Sequence, residues 1–201
     1  MSIHAIITGD LINSRKYDTS LWLPILEEAL EKYSTSFSIF RGDSFQMEVS
    51  LDKLFESVFY LKASLKSIDG LDVRFGIGVG TVIYEDLDIK KSTGDAFIFS
   101  GESLDHLGKE SIAFKSCWSG LDELVNIILS LSVKLVDQWT VNMSETVKAT
   151  LDYPDLNQID LAKKIGRNHQ SQFSKELNKS NFGKIQQGIQ YCTQELLRYA
   201  D

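Results

Sequence analysis

Phe40-Arg41-Gly42-Asp43-Ser44-Phe45 is the stretch whose reading decides the fold, taken together with Ile6-Ile7-Thr8-Gly9-Asp10 near the start of the chain. In both, a β-branched or aromatic run stops at a Gly-Asp pair, so each is expected to deliver a carboxylate at a strand end where glycine permits a sharp turn. Around the first pair, Phe45, Met47 and Val49 alternate with Ser44, Gln46 and Glu48, and Phe37-Ser38-Ile39-Phe40 is a second extended run. The pattern predicts a β-hairpin with Asp43 at its tip. Two strand-end carboxylates, Asp10 and Asp43, could share one metal ion. Gly-Asp is also an ordinary turn dipeptide, so a purely structural turn stands beside that reading. Arg41-Gly42-Asp43 spells the tripeptide of cell attachment, but three residues carry too little information to act on.

Working outward, 201 residues suffice for one large domain or a medium one with an appendage, and 43% hydrophobic with 24% charged residues is ordinary globular composition. The longest apolar stretch, Leu124 to Val136, is interrupted by Asn126 and Lys134 and falls short of the ~20 residues a bilayer requires. No membrane span is expected. Met1-Ser2-Ile3-His4 leads into a strand-like run without the pattern of a secretory signal, and Cys117 and Cys192 have no ligand-like spacing, so a reducing cytoplasm is the expected location. Charge is unevenly spread. Residues 1–154 carry 14 basic and 23 acidic side chains, net −9, whereas 155–201 carry 7 and 5, net +2. Between Leu161 and Lys184 six basic residues face a single acidic one, Glu176.

In chain order, Ile3 to Thr8 reads as a central strand ending at Gly9-Asp10, and Leu11, Ile12, Asn13 and Ser14 as a connection whose amides could face a phosphate. A helix opens near Thr19 to Trp22, with Ile25, Leu26, Ala29, Leu30 and Tyr33 inward. Leu51 to Leu65 reads as an ordinary amphipathic helix closed by Asp69-Gly70. Val73 to Gly80 alternates strictly and puts Arg74, Gly76, Gly78 and Gly80 on one face, against which a helix, a second subunit or a ligand must press closely. Ser92 to Asp95 caps a helix running to about Leu107, and Ser111 to Phe114 is a plausible edge strand. The helix Ser119 to Trp139 is apolar nearly all round, which predicts deep burial or a subunit contact. Strand, helix, hairpin, helix, strand is the order of the ferredoxin-like split arrangement, so the expected fold class is α+β: an antiparallel sheet with helices over residues 1–116, connecting helices over 117–152, and an all-α unit over 153–201.

Ile7 to Ser14, Arg41 to Phe45, Phe75 to Gly80 and Thr93 to Phe97 resemble, in this order, the signature stretches of the class III nucleotide cyclase fold, and the whole chain looks like the SatD family, in which a cyclase-like domain precedes a helix-turn-helix. The resemblance implies that Asp10 and Asp43 match the metal-binding aspartates, that Leu11, Ile12, Asn13 and Ser14 match the triphosphate-holding segment, and that Mg²⁺ with a nucleoside triphosphate is the ligand. Two carboxylates can hold paired Mg²⁺ ions that stabilise the oxygens of an in-line displacement at phosphorus. The cyclases' asparagine and arginine after this glycine-aspartate are Ile98 and Glu102 here. An acidic side chain cannot replace a cation beside developing negative charge, so no cyclase activity is expected. The cyclase resemblance also implies a homodimer, since those sites form between two domains.

At the C-terminal end, Leu161, Ala162, Ile165 and Gly166 match the first helix and turn of a helix-turn-helix, with Phe173 and Leu177 inward on the second helix after a turn one residue longer than usual. A helical hairpin with a solvated basic face is the plain alternative. On the first reading His169, Gln170, Gln172 and Lys175 meet DNA bases, while Lys163, Lys164, Arg167, Lys179 and Lys184 meet phosphates. The last helix, with Ile185, Ile189, Cys192, Leu196 and Tyr199 on one side, is a candidate dimerisation element. Two functions result: a cytoplasmic regulator that couples a Mg-nucleotide domain to DNA binding, or a metal-dependent phosphoryl or nucleotidyl transfer enzyme whose C-terminal helices bind a protein.

Overall fold

The computed structural model describes residues 2–201. Its elements are β1 (Ile3–Ile12), α1 (Thr19–Tyr33), β2 (Phe37–Phe40), β3 (Ser44–Val49), α2 (Leu54–Leu65), β4 (Asp72–Thr81), α3 (Asp95–Asp105), β5 (Ile112–Ser116), α4 (Ser119–Val136), α5 (Val141–Asp152), α6 (Gln158–Lys164), α7 (Gln170–Lys179) and α8 (Phe182–Ala200). The strands form one mixed sheet in the order β2-β3-β1-β4-β5, antiparallel except for the parallel β4–β5 pair. The fold class is α+β.

The hairpin forms where the alternation puts it, and Arg41 and Gly42 turn the chain at φ 53° and 94°. The other Gly-Asp pair does not turn. β1 continues through Gly9 and Asp10 to Ile12, with Leu11 and Ile12 in register with Val73 and Asp72. Gly9 lies opposite Phe45, and a Cβ there would sit 2.3 Å from the Phe45 ring. Glycine is required to seat that ring, so the strand-end reading of Asp10 is corrected: the residue lies within a ten-residue central strand.

The glycine face of β4 is covered by the chain's own α3. A Cβ on Gly76 would lie 2.1 Å from the Ser100 carbonyl oxygen, and one on Gly78 would lie 2.0 Å from that of Ala96, so helix backbone rests directly on strand backbone. Two helices exchange their expected characters. α2 is buried on nearly every side, with only Glu56 partly accessible, instead of showing an ordinary solvated face. α4 buries Leu121, Val125, Leu129, Val133 and Val136 but leaves Ile127 and Leu131 56% and 66% exposed.

One large core joins the inner face of the sheet to α1, α2, α4, α5 and α8. The α8 stripe of Ile185, Ile189, Cys192 and Leu196 is spent on this core, so the helix does not present it to a second chain. A small satellite core of Ala149, Leu161, Ala162 and Phe173 holds α6 and α7 against α5. No helix among the described residues is long and apolar enough to cross a membrane.

Candidate functional site

α3 lies over β4 on the sheet face opposite the main core, the face that also carries Thr8 and Asp10 of β1 and Ser44 and Gln46 of β3. Thr8 Oγ1 and Ser100 Oγ are hydrogen-bonded at 2.9 Å across the α3 boundary, and Gln46 Nε2 donates to Thr8 Oγ1 at 3.0 Å. Asp10 faces Ser44 on one neighbouring strand and Arg74 on the other. Arg74 closes on it as a fork, Nε and Nη2 donating to Oδ2 at 3.0 and 2.7 Å, while Ser44 Oγ reaches Oδ1 at 3.4 Å. The pair is accessible, with the Asp10 side chain 24% exposed.

Asp43 comes to the same end of the sheet from the β2–β3 turn. Its backbone carbonyl accepts from the Leu11 amide at 3.1 Å, and its carboxylate accepts from buried Ser14 Oγ at 2.5 Å. Of the four residues expected to cradle a triphosphate, Leu11 and Ile12 are therefore strand residues, and the Leu11 amide is already taken. Asn13 turns the chain in the left-handed region at φ 66° and ties its side-chain amide to the Gly70 carbonyl at 2.8 Å. Ser14 opens a single turn of 3-10 helix. The connection is two residues shorter than the sequence reading, because β4 is long enough to pair β1 to its end.

The Asp10–Asp43 end holds no third carboxylate, histidine or cysteine close enough to complete a protein-only metal site, and no such cluster of three occurs among the described residues. Arg74 was missed as a site residue. Its signal was present, since the alternation of 73–80 puts it on the glycine face beside β1. Glu102 lies away on the solvent side of α3, paired with Lys115 at 2.5 Å, which holds its carboxyl below the usual range.

The second candidate surface is α6, a five-residue turn and α7. Asn157 caps α6 by accepting from the Ile159 and Asp160 amides, and Gly166 makes the turn at φ 71°. Phe173 is fully buried against Leu161 and Ala162, with Leu177 and Ile165 packed at the margin. The nine residues assigned to DNA divide. All but Arg167 are exposed, Lys163, His169, Lys175, Lys179 and Lys184 among them, although Gln172 also donates to Glu176 at 3.1 Å. Gln170 turns back to α6 and donates to Gln158 at 2.8 Å. Lys164 lies over the Tyr153 ring, 4.1 Å from its centroid. Arg167 is a correction: only 12% exposed, it donates to Glu176 at 2.9 Å and Glu145 at 2.8 Å, clamping α7 to α5 instead of meeting solvent. With Phe173 pointing inward, helical geometry puts Ser171, Lys175 and Asn178 on the opposite side, and all three are exposed. Ser171 and Asn178 were not singled out because short polar side chains give no signal until the buried face is known.

A search of curated proteins and of solved structures found no significant match to the chain. The SatD family model matches residues 4–196, nearly the whole length. The chain belongs to the SatD family.

Proposed function

We propose that this protein is a cytoplasmic regulator that binds DNA through α6 and α7 and takes a nucleotide with Mg²⁺ at the Asp10–Asp43 end of its sheet, without cyclase activity. The observation that carries the reading is the α6–turn–α7 unit. Small Ala162 lets the second helix approach, Gly166 makes the turn, Phe173 anchors the pair, and a polar, lysine-bearing side of α7 is left free of the body, which is how a helix-turn-helix is built. The strand order β2-β3-β1-β4, with α1 and α2 as crossovers, supports a ferredoxin-like, cyclase-like reading of the sheet. Two free thiols, Cys117 and Cys192, agree with a reducing compartment.

The nucleotide is expected to bring its metal with it. Asp10 and Asp43 supply two carboxylates, Arg74 already neutralises one, and phosphate oxygens would complete the shell, as Mg²⁺ sites at phosphates commonly do. When bound, the ion would shield phosphate charge. A second reading, metal-dependent phosphoryl or nucleotidyl transfer, is favoured by the same Arg74, which puts a cation beside the carboxylates where Glu102 offers none. Thermal shift of the full chain with each nucleoside triphosphate, with and without Mg²⁺, followed by product analysis, separates the two. The regulator predicts stabilisation without turnover, and release of pyrophosphate or phosphate would favour the enzyme.

A further inference from the structure

Between α1 of the sheet body and the α5–α6 corner lies a cleft of about 570 Å³, within the range of small-molecule sites and separate from the Asp10 end. One side is built on a fixed charge cluster. The Asp152 carboxylate receives Lys32 at 2.5 Å, Tyr60 at 2.7 Å and Lys148 at 3.1 Å, so most of its hydrogen-bonding capacity is used within the protein. Burial pushes the Tyr60 hydroxyl up to about 12, so it remains a donor throughout the physiological range. Glu145 is likewise held by Arg167. These groups shape the cleft without offering an open charge.

Two charged groups at the cleft remain accessible to a ligand, one unpaired and one largely exposed beside a single partner. The Lys164 ammonium rests on the face of Tyr153 with no carboxylate within 4.0 Å among the described residues. Glu28, on the opposing wall, is 67% exposed and has one partner, Lys148 at 3.3 Å. Apolar surface from Ile25 of α1 and from Ile165 after α6 completes the lining. A polyanion would meet Glu28, Glu145 and Asp152 together, and a polycation would meet Lys148 and Lys164.

We infer that this cleft is a binding site for a small zwitterion with an apolar body, an apolar α-amino acid or short peptide, its carboxylate on Lys164, its ammonium toward Glu28 and its side chain against Ile25, Ile165 and the Tyr153 ring. Such a ligand touches α1 of the body and the end of α6 at once, so occupancy ties the position of the helix pair to the body. That regulatory consequence rests on the DNA-binding reading above, whereas the binding itself does not.

The test titrates the full chain with L-leucine, L-phenylalanine and leucyl-leucine, reading ¹⁵N amide shifts and calorimetric heat, with N-acetyl-leucine, inorganic phosphate and spermidine as comparison probes. Saturable shifts at Ala149, Tyr153 and Ile165 are expected, with Kd ~1 mM or tighter. Exposed Lys164→Met should weaken binding about tenfold or more, the scale of a lost charge-assisted bond. N-acetylation should weaken binding to the unmodified protein but make no difference in Glu28→Gln. The inference is overturned by no saturable shift with any of the three zwitterions, by unchanged affinity in Lys164→Met, or by phosphate or spermidine binding in their place. DNA titration of the same samples is read separately, so DNA binding that is absent, or unaltered by the amino acid, with intact amino-acid binding overturns the regulatory reading alone.

Discussion

Arg74 decides what the carboxylate end of the sheet can hold. Its fork on Asp10 is a charge-assisted, two-bond arrangement, and it leaves Asp43 as the only unneutralised carboxylate of the pair. Mg²⁺ without nucleotide should therefore leave the melting temperature of the wild type unchanged, whereas Arg74→Ala, which exposes both carboxylates, should gain about 1–2 kcal/mol at Mg²⁺ roughly tenfold or more above its dissociation constant. Equal Mg²⁺ responses in the two proteins would show that the two aspartates do not act together. Glycines give a second residue-scale contrast. Gly78→Ala drives a methyl into helix backbone that cannot rotate away, so a loss of about 1–3 kcal/mol or more is expected. Gly101, in the same α3, has nothing within 4 Å of its added Cβ, and Gly101→Ala should gain up to about 1 kcal/mol from helix propensity. Urea midpoints moving in opposite directions would bear this out, and equal shifts would mean that α3 does not rest on β4 as described.

At the scale of elements, α7 is held by one aromatic anchor and one ion cluster. Burial pushes the Glu176 carboxyl up, but hydrogen bonds from Thr146, Arg167 and Gln172 outweigh it and hold the group below the usual carboxylate range. A depressed folded-state value stabilises the protein above the unfolded value of about 4.3 and loses that contribution as pH falls through the folded value. Acid should therefore loosen α7, with its amide exchange protection falling below about pH 4.3 in the wild type. In Glu176→Gln that segment of the pH profile should be flattened, and in Arg167→Ala the unfolding free energy at neutral pH should drop by about 1–3 kcal/mol. A pH profile unchanged in Glu176→Gln would remove this cluster from the account. These elements also show what was legible beforehand. Alternation at 45–49 and 73–80 and the Leu161, Ala162, Gly166, Phe173 spacing located the hairpin, the glycine strand and the α6–α7 pair, since each signal is local. The course of β1 past Asp10 was not legible, because Gly9 answers to Phe45, 36 positions away in sequence. Nor was the Arg167 clamp, since a basic residue in a basic stretch looks solvated until Glu145 and Glu176 are brought beside it.

For the whole molecule, the sheet body and the helix pair share helices. α5 and α8 both reach the large core, and α5 also supplies Ala149 to the satellite core, so a boundary at residue 153 does not divide two independent cores. Of the grounds for a homodimer, the glycine face is absorbed within one chain by α3, and the α8 stripe, a separate candidate, by the core. Ile127 and Leu131, one turn apart on α4, remain exposed. If a second copy covers them, light scattering at tens of micromolar should give a dimer for the wild type and a monomer for the Ile127→Lys, Leu131→Lys double variant, and a wild-type monomer would end that expectation. On the DNA-binding reading proposed above pairing would matter, because a net charge of −7 repels DNA and the lysines of one helix pair give little affinity alone.

The DNA-binding claim is tested most directly by fluorescence anisotropy with duplexes selected from genomic fragments, titrated at low and moderate salt, for the wild type and for Lys163→Glu with Lys175→Glu. Both lysines are exposed and outside either core, so the double variant should fold as the wild type does. The account predicts specific binding by the wild type that weakens steeply with salt, and a loss of at least about tenfold in the variant, as expected when cationic contacts to DNA are reversed. Absence of binding at low salt, or equal affinity in the two proteins, would contradict it and make α6 and α7 a surface for another kind of partner.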